Sequence, residues 1–488
     1  MTRPQAGWGP VALVAGGGLT VRAAAALLRR PWHDEYFTAW VATSPWSELV
    51  PALAQDSGPP LPYVLAKLLA SAGLAPLAAA RLVAVVAGSL AILAAARAAR
   101  TTGGPRAALW AAALLAFHPL AVAWSAEGRA YALLLLGVAL VWDGLAQLVT
   151  DQRGSWRVVA GAALALWSHG LGLVLLVVMA IVGLSLPGPA RRRTMLAAAL
   201  ATLSFLPWVP VMLAQPPASL AWMTRAWQSL TRWHQLVAPL AFLPPGARFG
   251  SALDLPSAPL PIVLATALVT LGLGTAALAR GQREVIRTAV LVLLPAVALA
   301  ALAHLGVPAF YPGRGEALYL APALGLLAAG AARGAAQAVA GALLVSIGAA
   351  TCGVAVVSWR HTPPRSEEQL AHIVATHLPG GGTVLVEGYW RLGLWYHLGE
   401  ARQRFQLETF PPTANAHPGW YEGGGTAADA ELARQLLAAE VQRGRPVACV
   451  LPPHGAPSAL RPATRAAGLV PVAVTAAAEV WMAPGVGP

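Results

Sequence analysis

Long apolar runs alternate with short polar joints over most of the chain. They fall at residues 8 to 28, 77 to 97, 107 to 125, 130 to 149, 195 to 213, 259 to 279, 286 to 305, 316 to 332 and 335 to 357. Each is long enough to cross a bilayer as a helix. A further apolar stretch, 158 to 186, is interrupted by Ser168-His169-Gly170 and flanked by arginines on both sides, Arg153 and Arg157 before and Arg191-Arg192-Arg193 after. A single crossing there would send the arginine triplet outside, against the positive-inside rule, whereas two short segments hinged at Ser168-His169-Gly170 keep both flanks inside. Broken segments of that kind persist in a membrane only where protein or a water-filled cavity satisfies their backbone. The pattern predicts about eleven spans, with the N-terminus inside and the C-terminal tail outside. The clusters Arg97/Arg100/Arg106, Arg153/Arg157, Arg191 to Arg193 and Arg280/Arg283/Arg287 then share the cytoplasmic face.

Beyond residue 358 the pattern changes. Ser366-Glu367-Glu368-Gln369 has the spacing of a capping box and opens a helix to about residue 378; Pro379-Gly380-Gly381-Gly382 then turns into a strand at 383 to 386. A second helix is predicted over 427 to 442, with strands at 447 to 451, 470 to 474 and 479 to 482. Strands alternating with helices predict a small α/β domain. The expected organisation is an α-helical polytopic membrane domain, 1–357, with outer loops at 29–76 and 214–258, followed by a soluble α/β extracytoplasmic domain, 358–488.

Composition agrees with that division. With 57% hydrophobic and 11% charged side chains over 488 residues, the chain is too apolar for a soluble protein. Residues 1 to 357 carry 23 Lys or Arg against 10 Asp or Glu, and the remainder carries 10 of each, so the net charge of +13 belongs to the membrane part. Topology accounts for it, and no basic run interleaved with aromatics points to nucleic acid. The two cysteines, Cys352 and Cys449, supply neither a disulfide framework nor a metal site. The first apolar run contains Arg22 and lacks a small-x-small cleavage signal, so it reads as a retained span. Neither glycine run of the tail fits a dinucleotide fingerprint.

Acids are scarce in the membrane part, and seven of its ten (Asp34, Glu35, Glu48, Asp56, Glu127, Asp254 and Glu316) fall on the predicted outer side. The adjacent pair Asp34-Glu35 stands directly after the first span, within Trp32-His33-Asp34-Glu35-Tyr36-Phe37, where carboxylates are costly unless they work. The chemistry is expected to face outward. Tryptophans and arginines at 222 to 234 read as interfacial anchors. His33, His118 and His169 show no metal-ligand spacing and read as polar contacts.

Taken in order, the acidic pair, Asp56-Ser57-Gly58-Pro59-Pro60-Leu61-Pro62-Tyr63, Arg81 at the second span, His118-Pro119 and Glu127-Gly128-Arg129-Ala130-Tyr131 form a series. Ser168-His169-Gly170, Phe310-Tyr311-Pro312-Gly313-Arg314 and Pro322 extend it. This series resembles the GT-C glycosyltransferases of the bacterial family 39 type, related to protein mannosyltransferases and lipid A aminoarabinose transferases. The tail matches only in style, and Gly58 stands where relatives commonly have His before the two prolines.

The resemblance implies transfer of a hexosyl or pentosyl group from a polyprenyl-phosphate-linked donor to a glycan, lipid or protein acceptor at the outer face of the cell membrane. That chemistry needs a carboxylate base for the attacking hydroxyl and cations for the departing phosphate. Asp34 is expected as the base with Glu35 assisting, and Arg314 and Arg129 as the donor-phosphate ligands. His33, Tyr36, Asp56, Glu127, Tyr131, His169 and Tyr311 are the expected substrate contacts. No metal or other cofactor is required, although a carboxylate pair suits a divalent ion. The absence of a D-x-D motif argues against a nucleotide-sugar donor. A transporter or flippase for a lipid or small solute is the competing class, weakened by the lack of a second copy of the acidic pair or of the Glu127 to Tyr131 motif in the later spans.

Overall fold

A computed structural model describes residues 7–150, 154–216, 242, 260–279, 281–309, 311, 313–362, 365–388, 390–412 and 427–483. Asp254, Phe310, Pro312 and most of the predicted outer loop 214–258, with its tryptophans, lie outside the described residues.

The described helices of the first part are α1 (Gly9–Leu28), α2 (His33–Thr43), α3 (Leu49–Ala54), α4 (Leu61–Ser71), α5 (Pro76–Ala116), α6 (Pro119–Ala126), α7 (Tyr131–Thr150), α8 (Ser155–Ser168), α9 (Gly172–Leu184), α10 (Gly188–Phe205) and α11 (Val209–Ala214). After the undescribed segment come α12 (Leu260–Leu278), α13 (Arg283–His304), α14 (Leu320–Ala331) and α15 (Ala335–His361). Among the described residues seven helices are long and apolar enough to cross a membrane, and α4, α9 and α14 are shorter apolar helices. The two apolar runs predicted at 77 to 97 and 107 to 125 enter one long helix, α5, kinked where Gly104 takes φ 82° ahead of Pro105. A left-handed glycine followed by a residue without an amide hydrogen breaks the hydrogen-bond ladder and turns the axis. The expected interruption at Ser168-His169-Gly170 is present: α8 stops at Ser168, His169 is extended, and α9 resumes at Gly172.

The chain divides into two compact units, residues 1–29 with 57–361, and residues 30–56 with 362–488. The segment carrying α2 and α3 therefore groups with the tail.

Within the first unit, buried arginines tie helix ends together. Arg22, fully buried in α1, donates to the Leu115, Ala116 and Gly18 carbonyls and to Ser125 Oγ. It thus serves carbonyls that the C-terminus of α5 leaves without intrahelical partners. Arg81 does the same for α1, donating to the Ala26 and Arg29 carbonyls at 2.6 and 2.8 Å.

The second unit contains α16 (Ser366–His377), β1 (Gly382–Glu387), α17 (Trp390–His397), β2 (Phe405–Phe410), α18 (Ala427–Gln442), β3 (Val447–Leu451), α19 (Leu460–Ala466), β4 (Val470–Val474) and β5 (Glu479–Met482). The sheet order is β2-β1-β3-β5-β4, with β1 parallel to β2 and β3, and β5 antiparallel to β3 and β4. Alternation along β1 and β3 sorts two cores onto the two faces. Val384, Val386, Ala448 and Val450 pack with Leu370 and Val374 of α16 and Leu394 of α17. Leu385, Cys449 and Leu451 pack with Leu437 of α18 and Leu460 of α19. The capping box expected at Ser366 is not formed: Arg365 is the N-cap residue, Ser366 is already helical, and no side chain caps the end.

Tyr36 of α2 is wholly buried in this unit, its hydroxyl 2.8 Å from His397 Nε2 and its ring 5.1 Å from that of Tyr396. Burial lowers the His397 pKa from its ordinary value near 6.5; the Glu368 charge opposes the shift and Arg30 adds to it. Because the unfolded chain takes up a proton more readily, the unit keeps its full stability above about pH 6.5 and loses it as pH falls toward the native value. With the intrinsic pH dependence of exchange removed, the protection of amides in 33–43 and 390–397 is expected to fall between about pH 7 and pH 5, and less so in His397→Asn. Equal pH dependence in both proteins would contradict this assignment.

Candidate active site

In the first unit the turn ahead of α14 is fixed from two directions. Gly313, with φ 82°, donates its amide to Glu316 Oε1 at 2.9 Å, and its carbonyl accepts from Trp124 Nε1 at 2.7 Å. Glu316 and Trp124 are both wholly buried. This clamp sets the backbone from which Arg314 projects. The Arg314 guanidinium lies 5.7 Å from the ring centre of Tyr131 and 5.4 Å from that of Tyr311, within the range of cation–π attraction. Tyr131 opens α7, and its ring centre is 5.4 Å from that of His169 at the α8–α9 break. His169 Nδ1 accepts from the Leu171 amide at 3.1 Å, so the neutral ring carries its proton on Nε2.

Arg129 follows a tight turn in which its amide donates to the Glu127 carbonyl at 2.7 Å. Gly128 allows that turn to approach α5, since a Cβ there would meet the Ala80 Cβ at 2.8 Å. Arg129 Nη1 donates to the Tyr63 hydroxyl at 3.0 Å. The charges of Arg129 and Arg314 both bear on the His169 ring. Glu127 pairs with Arg29 at 3.7 Å, both side chains essentially without solvent exposure, and the Arg29 guanidinium sits 5.8 Å from the Trp359 ring centre.

Arg314, Arg129, Glu127, Tyr131, His169 and Tyr311 thus all belong to this unit and are joined by the contacts just described, Glu127 through its backbone carbonyl. Trp124, Glu316 and Tyr63 complete the group without having been singled out as site residues from sequence. Their role comes from pairings across 189, three and 66 residues, of which only the Gly313–Glu316 contact is local enough for a sequence to hint at.

Asp34, Glu35, His33, Tyr36 and Asp56 belong to the other unit. Asp34 and Glu35 occupy the first turn of α2, where the unsatisfied amides of a helix N-terminus favour negative charge. Glu35 is fully buried, whereas Asp34 keeps partial exposure. Asp56 closes the turn after α3, its amide donating to the Leu53 carbonyl. Tyr36, expected among the substrate contacts, is buried, with its hydroxyl 2.8 Å from His397 Nε2. Among the described residues no three His, Cys, Asp or Glu side chains converge as a metal site would require.

Residues 57–214 match the family model of dolichyl-phosphate-mannose-protein mannosyltransferase. The whole chain is similar in structure to ArnT from Cupriavidus metallidurans bound to undecaprenyl phosphate, with a TM-score of 0.64 at 16% identity over 99% of this chain and 100% of that one. The chain is a membrane protein with the GT-C glycosyltransferase fold. The same fold relates it to the arabinofuranosyltransferase AftD from Mycobacteria, with a TM-score of 0.52 at 15% identity over 100% of this chain and 42% of that one. It also relates it to the Archaeoglobus fulgidus oligosaccharyltransferase in complex with Zn and sulfate, with a TM-score of 0.50 at 12% identity over 89% and 67%. No curated protein is significantly similar to it in sequence. The stretch matched by the family model ends before Arg314, so the link of Arg314 to Tyr131 and His169 is supplied by the fold.

Proposed function

We propose that the protein is a glycosyltransferase that moves a sugar from a polyprenyl-phosphate-linked donor to an acceptor hydroxyl at the outer face of the cell membrane. The observation that carries this reading is the pair Arg129 and Arg314, held by tyrosines around His169 in a chain with the GT-C fold. Arginines in a membrane domain are expensive, and two of them held by aromatic and hydroxyl contacts suit a resident anion.

In the proposed reaction the acceptor oxygen attacks the anomeric carbon while Asp34 takes the hydroxyl proton. The bond from that carbon to the phosphate oxygen breaks, and its electron pair leaves on the lipid phosphate. The phosphate gains charge as the bond breaks, so cations beside it bind the transition state more strongly than the donor. Arg314 and Arg129 fill that role. His169 Nε2, Tyr131 and Tyr311 supply donors and ring faces for the sugar, and Glu35, buried in the same helical turn, fixes Asp34 in place. Nothing in this sequence of steps passes through a metal.

Purified protein in nanodiscs, offered a panel of polyprenyl-phosphate sugars with glycan, lipid and peptide acceptors, is expected to release polyprenyl phosphate with one donor, read by mass spectrometry. A protein that moves a labelled lipid between leaflets and releases no phosphate from any donor would instead be a transporter.

A further inference from the structure

Ser168 ends α8 and is only 2% exposed, and its buried hydroxyl oxygen makes no hydrogen bond to any described residue. Buried helical hydroxyls of this unit ordinarily turn back on their own helix. Ser125, Thr194 and Thr288 each donate to the carbonyl four residues before, at 2.7, 2.9 and 2.8 Å. Ser168, also helical, makes no such bond. A hydroxyl buried away from water without a partner destabilises the fold that holds it, until a ligand or another group completes it.

The place of this hydroxyl is fixed by its neighbours. Trp167 Nε1 donates to Ser204 Oγ of α10 at 3.3 Å and its ring meets that of Phe205 edge-on at 5.5 Å, which sets the roll of the last turn of α8. Gly172 lets α9 come up against that turn, because a Cβ there would meet the Leu166 amide nitrogen at 2.6 Å. The residue after Ser168 is His169, whose ring centre lies 5.4 Å from that of Tyr131 and whose surroundings include the charges of Arg129 and Arg314. His169 keeps partial exposure, Gly170 is exposed, and nothing stands within 4 Å of where a Gly170 Cβ would be. The helix break therefore carries an unsatisfied hydroxyl directly beside the candidate site, with open space two residues further on.

We infer that Ser168 hydrogen-bonds a hydroxyl of the transferred sugar and so helps to select the donor. The inference rests on the function proposed above and names a specificity-determining residue of the same site. An uncharged hydroxyl that can both donate and accept matches a sugar hydroxyl in either direction, whereas a phosphate is better served by charged donors. One rotatable side-chain bond separates the Ser168 oxygen from the backbone, so the hydroxyl can turn to a ligand while the helix stays in place.

Full-length protein in nanodiscs is assayed with the polyprenyl-phosphate sugar that it turns over and with analogues of that donor, each lacking one ring hydroxyl. Ser168→Ala is expected to lower kcat/KM for the parent donor about tenfold or more. It should also be indifferent to the loss of one particular sugar hydroxyl that the unaltered protein requires, so that the two deletions do not add. Affinity for polyprenyl phosphate, which has no sugar, should stay unchanged. The thermal midpoint of ligand-free Ser168→Ala should equal or exceed that of the unaltered protein, since the substitution removes a buried hydroxyl with no bond to lose. Losses that add for every analogue, unchanged kinetics with the parent donor, an equal loss of polyprenyl-phosphate affinity, or a variant that melts earlier or fails to fold would overturn the role of Ser168 and leave the transferase reading standing. Unaltered protein that turns over no polyprenyl-phosphate sugar would overturn both.

Discussion

Asp34→Asn is expected to lower the turnover of sugar transfer by about 10²–10⁴ while leaving donor affinity unchanged. The side chain keeps its size and its place in the first turn of α2 but loses the ability to accept a proton. The loss should appear in kcat at saturating acceptor, since a base acts on the proton only as the new bond forms. Glu35→Gln provides the contrast. Glu35 is fully buried, so removing its charge disturbs the turn that holds Asp34 and should reduce thermal stability as well as rate. Single-turnover measurements with a fixed radiolabelled donor decide the matter. An Asp34→Asn protein that retains wild-type turnover would remove Asp34 from the chemistry and return the search for a base to the other outer acids.

Arg314→Met is the second substitution with a large expected effect, a fall in kcat of about 10²–10³ with a smaller rise in the donor KM. The asymmetry follows from charge: the donor phosphate carries one negative charge before the bond breaks and approaches two afterward, so the guanidinium is worth more late than early. Arg314→Lys should recover little, because an ammonium on a flexible stem cannot both fork two phosphate oxygens and lie against the Tyr131 and Tyr311 rings. Inhibition by added polyprenyl phosphate should weaken in parallel, since the product is the most highly charged ligand of the site. Unaltered product inhibition in Arg314→Met would show that the phosphate is held elsewhere. Glu316→Gln should reproduce a milder form of the same defect, because the Gly313 amide keeps an acceptor while the second carboxyl oxygen becomes an amide donor.

The apolar runs determined most of the membrane architecture by themselves, because a segment about twenty residues long without charge has one stable place, the bilayer. The break at Ser168-His169-Gly170 was also legible, since hydropathy and the arginines on both flanks gave the same answer independently. Strands β3, β4 and β5 and helix α18 were legible for a related reason: their alternating or helical periods stand between clear turn residues. Strand β2 and helices α17 and α19 were not, being short segments whose place is fixed by the parallel pairing of Phe405–Phe410 with β1 and by packing against the sheet. The expected capping box failed because the spacing of Ser366 and its acids says which residues are able to cap, and not where the first helical turn begins.

Chemistry divides the same way. Residue types picked out Asp34, Glu35, Arg129 and Arg314, because charges in an apolar chain are conspicuous whatever they do. Only the tertiary structure decided what each is beside. It paired Glu127 with Arg29 across 98 residues, gave Arg129 to the Tyr63 hydroxyl, enclosed Arg314 between Tyr131 and Tyr311, and grouped residues 30–56 with the tail, where Tyr36 became a core side chain. The physical reason is that burial cost is a property of a residue and its near neighbours along the chain, which a sequence displays. The partner that offsets the cost is a property of distance in space, which a sequence without the fold does not contain.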